Sequence, residues 1–191
     1  MAIAGPSRVV GMDETLGSLQ IAPAGTRPEL LAAPVVAALG RGELPDTEVG
    51  VAEIDPTLAD TAAFCDAYGV RMDESANCVV VAGRRGGETR MAACLVLATT
   101  RADINGLVRR HLDVRKVSFA PIDTAVAETG MEYGGITPVG LPADWPILVD
   151  SAVVAAPRVI IGSGVRRSKL VLPGPAIADL PGVEVLADLG R

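Results

Sequence analysis

The run Gly134-Gly135-Ile136-Thr137-Pro138-Val139-Gly140 is the part of this chain best suited to chemistry, and the groups it offers are main-chain amides rather than side chains. Two adjacent glycines let a ligand reach contact distance of the backbone, while Pro138 fixes its own φ and stops the segment from continuing as a strand. Such a loop can donate hydrogen bonds to a carbonyl or an oxyanion. It can equally be a tight turn between strands. Two neighbours share this character. Gly162-Ser163-Gly164 offers amides and a hydroxyl, and Asp150, closing an apolar run, could bond a loop amide or a substrate amine, although both are also ordinary turn formers.

Side-chain catalysts are scarce. The single histidine, His111, and the three cysteines at 65, 78 and 94, which lack a C-x-x-C spacing, give no Ser-His-Asp or Cys-His pairing, no zinc site and no disulfide framework. Cys78 reads as a buried thiol and His111 as a residue near a helix C-terminus. No metal and no organic cofactor is called for.

The elements that must position these groups alternate irregularly. Helices are expected over 29–39, 56–68, 103–112, 122–128 and 176–180, and strands over 47–54, 77–82, 89–99, 147–149, 158–161, 169–172 and 183–186. Gly83-Arg84-Arg85-Gly86-Gly87 suits a hairpin turn between the second and third strands. Without a regular βαβ repeat, this order predicts a mixed α/β (α+β) single domain, a mostly antiparallel sheet with helices packed around it. Residues 1–26 read as an N-terminal extension holding one short strand, and 27–191 as the domain.

Of 191 residues, 49% are hydrophobic but only 3% aromatic, so the core must be aliphatic and few rings can stack on nucleobases. No apolar run is long enough to cross a bilayer and the N-terminus resembles no signal peptide, which points to a cytoplasmic protein without a membrane partner. The net charge of −6 is unevenly spread: residues 1–76 hold 4 basic and 12 acidic side chains, for −8, and residues 77–191 hold 13 and 11, for +2. Phosphate, if bound, should meet the second part, at Arg84/Arg85/Arg90, Arg109/Arg110/Arg115/Lys116 or Arg166/Arg167/Lys169. The sequence leaves a homo-oligomer open.

Taken in order, the loop, Glu128-Thr129-Gly130 before it, Pro146-Ile147-Leu148-Val149-Asp150 after it and Val159-Ile160-Ile161-Gly162-Ser163-Gly164 beyond resemble the YbaK and prolyl-tRNA synthetase editing-domain family, whose G-x-x-x-P loop matches Gly134 to Pro138. The resemblance runs from about 30 to 186 and is strongest over 76–172. It implies a free-standing aminoacyl-tRNA deacylase that cleaves the ester of mischarged tRNA, with the tRNA 3′ end as partner, loop amides around the aminoacyl group and the tRNA's own ribose hydroxyl helping to position or activate water. An ester is an activated bond, so oriented water and hydrogen bonds to the oxyanion can suffice.

One position departs from the family. Where members commonly carry a lysine at the start of the first hairpin strand, this chain has Asn77, in Asn77-Cys78-Val79. An amide donates hydrogen bonds but carries no charge. The resemblance therefore implies a site in which Asn77, Gly134 and Pro138 take the catalytic places and Gly135, Thr137, Asp150, Gly162, Ser163, Gly164 and Arg166 bind substrate, with Arg84, Arg90 or Arg166 as replacements for the missing cation. The alternative is a non-catalytic binding module that keeps the pocket for a small ligand, a tRNA end or a protein.

Overall fold

The computed structural model describes residues 16–45 and 48–191. Most of the predicted extension and the start of the strand expected over 47–54 lie outside the described residues. Within them the chain is mixed α/β and largely antiparallel, but its strands divide between two sheets. One has the order β1 (Ile21–Pro23), β2 (Gly50–Glu53), β8 (Ser168–Leu172), β7 (Val159–Gly162) and is antiparallel throughout. The other has the order β5 (Lys116–Phe119), β3 (Ala76–Arg85), β4 (Glu88–Leu97), β6 (Ile147–Asp150), β9 (Val183–Leu186) and turns parallel at β6 and β9.

Packed between and around the sheets are α1 (Ala33–Gly40), α2 (Thr61–Tyr68), α3 (Arg109–His111), α4 (Ile122–Thr129) and α5 (Ser151–Ala155). The main core joins Leu95 and Val149 from one sheet to Ile161, Leu170 and Leu172 from the other, with Val35 of α1 against them. These side chains are aliphatic and buried, and their removal from water is the main favourable term holding the sheets together. Leu16 and Leu19 pack with Phe64 of α2 in a second cluster, and Ile21 pairs with Ala52, so the chain from Leu16 onward is bound into the fold.

Local chemistry explains where helices begin. The helix expected over 56–68 starts at Thr61, because the Asp60 carboxylate accepts from the amides of Ala62 (3.1 Å) and Ala63 (3.5 Å) in an extended cap, and Gly69 ends it at φ 66°. Pro56–Leu58 is a separate 3-10 turn capped by Asp55. Pro34, which has no N–H to donate backwards, holds the start of α1 at Ala33 instead of the expected 29. Asp103 accepts from Gly106 and Leu107, both at 3.0 Å, but the turn it caps is a π-turn, Ile104–Val108, leading into the short α3.

The hairpin β3–β4 is longer than expected, since Arg85 still pairs with Glu88 and only Gly86 and Gly87, at φ 61° and 88°, make the turn. One strand and one α-helix have no counterpart in the sequence expectations. β5, with the polar sequence Lys-Val-Ser-Phe, pairs as an edge strand with residues 81–84 of β3, and α5 is started by the Asp150 side chain. No helix among the described residues is long and apolar enough to cross a membrane.

Candidate functional site

A cavity of about 670 Å³ opens where the two sheets meet the glycine loop. Its walls are Asp60 and Thr61 at the start of α2, Asn77 to Val80 of β3, Ile122 and Ala125 of α4, Gly134 and Ile136 of the loop, Gly162 at the end of β7, and Lys169 of β8. Phe119, Ile122 and Tyr133 stand at the mouth, and each is more than half exposed.

Gly134 adopts φ 84°, a conformation that L side chains rarely take, and the Gly135 amide donates to Glu132 O at 2.9 Å to close the turn. Neither the Gly134 nor the Ile136 amide has a hydrogen-bond acceptor among the described residues, and both residues line the cavity. The loop is clamped from behind. Gly164 N donates to Gly135 O at 2.7 Å, Glu132 N donates to Gly164 O at 2.8 Å, and a Cβ on Gly162 would collide with the carbonyl oxygens of Gly135 and Ile136. Two glycine-rich segments therefore hold one another, and of their residues Gly134, Ile136 and Gly162 reach the cavity.

Lys169 was missed by sequence reasoning as a site residue. It is the second residue of β8, paired with Ala52 on one side and Gly162 on the other, with 7% of its surface exposed. Because Gly162 has no side chain, the lysine beside it can enter the cavity. Its Nζ donates to Ala59 O at 3.0 Å and lies 5.3 Å from the centre of the Phe64 ring, a cation–π contact. An ammonium has three donors, and among the described residues a single acceptor meets them. Burial lowers its pKa below the ordinary lysine value, with Arg166 adding to the shift while Cys65 and Asp60 oppose it. The signal in the sequence was a lone cation in the apolar run Ser168-Lys169-Leu170-Val171-Leu172, whose residues are all buried.

Asn77 also lines the cavity, and its Oδ1 accepts from Thr61 Oγ1 at 2.6 Å. The remaining expected site residues are placed elsewhere. Asp150 caps α5 through Ala152 N at 2.8 Å and receives Gly190 N at 2.6 Å, so its carboxylate is committed to backbone. Ser163 is fully buried, bonding Ser168 Oγ at 2.7 Å. Thr137 and Pro138 are buried behind the loop, and Thr137 Oγ1 has no hydrogen-bond partner among the described residues. Arg166 reaches over the loop's outer side to Tyr133 O (3.2 Å) and Pro56 O (3.1 Å), acting as a staple between main-chain carbonyls.

The other cations expected to replace a lysine at 77 are remote from the cavity. Arg84 stands by the hairpin tip and Arg90 donates to Leu112 O at 3.2 Å. Cys78 lines the cavity, yet burial and the neighbouring Cys94 push its thiol far above the usual range, and Cys94 itself is raised by burial to about 12. Neither is a thiolate nucleophile at neutral pH. No group of three His, Cys, Asp or Glu side chains among the described residues could hold a metal. What the arrangement offers is a set of donors: two loop amides, one ammonium and one carboxamide around a space large enough for a small acyl group.

A model of the aminoacyl-tRNA editing domain matches residues 55–180. Among solved structures, a candidate trans-editing enzyme for prolyl tRNA synthetase is similar at 21% identity and TM-score 0.67, covering 89% of this chain and 98% of the other. The protein APE2540 is 22% identical with TM-score 0.65 over 74% of this chain and 90% of its own. A protein from work on computational grafting of linear epitopes onto scaffolds is 23% identical with TM-score 0.70, over 84% and 97%. At these identities the structures speak for the fold.

Proposed function

Because the chain belongs to the aminoacyl-tRNA editing domain family, we propose that it is a trans-editing hydrolase that cleaves the ester between a wrongly attached amino acid and the 3′-terminal adenosine of tRNA. The observation that carries this reading is the cavity, where unpartnered amides of Gly134 and Ile136 and the under-bonded ammonium of Lys169 share one wall system.

In this reading the aminoacyl group enters the cavity with its carbonyl oxygen toward these donors. Water adds to the carbonyl carbon, the oxygen takes the negative charge, and the donors stabilise it as it forms. The C–O bond to the ribose then breaks, and the ribose oxygen leaves as a hydroxyl carrying the proton that the water gave up. No covalent enzyme intermediate is required, which suits a site whose thiols are held protonated. Lys169 supplies the positive charge that Asn77 does not, and Asn77, held by Thr61, borders the acyl space.

The test is hydrolysis of tRNA mischarged with Ala, Ser, Cys or Pro, followed against Gly134→Val. A valine at φ 84° is strained and its Cβ would lie 2.6 Å from Arg166 Nη1, so the loop backbone must relax or the Arg166 staple must move. Wild type should remove at least one of these amino acids faster than the spontaneous rate, and the variant should lose most of that gain. Wild type matching the spontaneous rate on all four would leave the chain as a binding module.

A further inference from the structure

At the far end of β3, that strand, α3 and the start of β5 gather five cations that the ester site does not use. Arg84, Arg109, Arg115 and Lys116 line one cleft of about 500 Å³, and Arg84, Arg85, Arg115 and Lys116 line an adjoining one of about 390 Å³ at the Gly86-Gly87 turn. Lys116 stands directly opposite Arg84 in the β3–β5 register, and the Arg115 amide donates to Arg84 O at 3.0 Å. Like charges facing each other across a strand pair are destabilising. Among the described residues two carboxylates are placed with these cations, Asp113, which pairs with Arg85, and Glu88 at the turn. Among the described residues no carboxylate pairs with Arg84, Arg109, Arg115 or Lys116. A chain of net charge −6 thus keeps a local surplus of about three positive charges where repulsion costs it stability.

The position of this surplus matters as much as its sign. Strand β5 begins at Lys116, inside the basic cleft, and ends at Phe119, at the mouth of the acyl cavity. Three residue steps along a strand span about 10 Å. Phe119 is 61% exposed and Tyr133, at the same mouth, 58%, although the chain has very few aromatic residues to spare. Exposed rings next to a run of cations match the two needs of single-stranded nucleic acid, stacking for bases and neutralisation for phosphates. A single small anion would need only part of the cluster.

We infer that the surface formed by Arg84, Arg109, Arg115 and Lys116 binds the phosphate backbone of the RNA's 3′-terminal strand, which runs along β5 and stacks a base on Phe119 as its last residue enters the cavity. The polarity of the strand rests on the ester-site reading. Binding of the backbone does not.

The experiment measures affinity for uncharged tRNA by fluorescence anisotropy between 50 and 200 mM salt, comparing wild type, Arg84→Ala/Lys116→Ala, and a control pair Arg41→Ala/Arg101→Ala that removes the same charge away from the cleft. The cleft pair should weaken binding roughly tenfold and make the slope of log K against log salt shallower by about 1.4, two phosphates at ~0.7 each. The control pair should leave both nearly unchanged. Equal effects of the two pairs, or no effect of the cleft pair, would overturn the inference. Arg84→Gln/Lys116→Gln repeats the measurement with the side-chain length largely kept, and a melting temperature at or above that of wild type confirms the fold of each variant.

A second arm uses an aminoacyl-adenosine ester, which has no phosphates. Its turnover should be the same in the cleft pair as in wild type, while KM for aminoacyl-tRNA rises. Absence of hydrolysis of either ester by wild type would remove the proposed activity and still leave the tRNA-binding comparison to decide this surface.

Discussion

Asp150 and Lys169 are both buried charged residues at strand positions, and they differ in what surrounds them. Asp150, at the end of β6, accepts two backbone amides, one that opens α5 and one from Gly190 near the C-terminus. Lys169, the second residue of β8, gives one hydrogen bond to a carbonyl and otherwise faces a cavity and an aromatic ring. A buried charge whose hydrogen-bonding capacity is filled by backbone serves the fold. One that is left partly unfilled beside a hollow keeps its capacity for a ligand, at some cost in stability. Either side of this comparison can be broken by a single substitution.

The largest effect is expected from Lys169→Met, which keeps the length and apolar stem but removes the charge. If the ammonium stabilises the oxyanion, ester hydrolysis under single-turnover conditions should fall by ~100-fold or more, the scale of losing one such donor. Stability should move the other way. Removing a desolvated charge is worth roughly 1 kcal/mol, or a rise of about 2–4 °C in Tm for a chain of this size. A fall in Tm together with unchanged hydrolysis would place Lys169 with Asp150 among the structural charges.

Asp150→Ala is the converse. It strands two part-buried amides and removes a helix cap, so a loss of ~1–2 kcal/mol in unfolding free energy is expected from chemical denaturation. Hydrolysis per folded molecule should stay within about twofold of wild type. A selective loss of turnover with stability intact would return Asp150 to the site.

The sequence made one of these residues visible for the wrong reason and hid the other. Asp150 drew attention because it closes an apolar strand near the proposed pocket, but side-chain capping of α5, an element too short to show a helical period, was not legible from spacing. Lys169 was noticed only as part of a basic cluster with Arg166 and Arg167. Its burial depends on β8 being a central strand between β2 and β7, which is a matter of sheet order rather than of local pattern. The aliphatic strands, the hairpin and the glycine loop were readable, because period, turn residues and φ requirements are local. β5 was not, because an edge strand with one face in water needs no apolar alternation, and it is this strand that joins the basic cleft to the cavity mouth.

A smaller effect should appear in the pH profile. The pKa of Lys169 is lowered by burial, so the ammonium is lost on raising the pH before an ordinary lysine would titrate near 10.5. Enzyme-dependent hydrolysis, after subtraction of the spontaneous rate, should therefore decline on the alkaline side, and Lys169→Met should lack that limb. Stability has the opposite sign. Between the folded pKa and the unfolded one the unfolded chain binds more protons, so this residue makes unfolding harder as pH rises through that window. A wild-type rate that climbs through the same range would mean that the neutral amine is the working form.

The smallest change concerns position 77. With Lys169 already in the cavity, Asn77→Lys adds a second cation to a site that has one, and it gives up the bond between Thr61 Oγ1 and Asn77 Oδ1. Two like charges sharing a small buried space depress each other's pKa, so the single variant should hydrolyse substrate within about threefold of wild type. In the Lys169→Met background the same substitution meets no competing charge, and a lysine at 77 opens onto the same hollow. There it should restore roughly tenfold of the lost rate. Recovery in the double variant without gain in the single one would show that the cavity needs one positive charge and is indifferent to which strand carries it. Gain in the single variant alone would mean that Lys169 was never that charge, and the contrast between the two buried residues would reduce to a difference in packing.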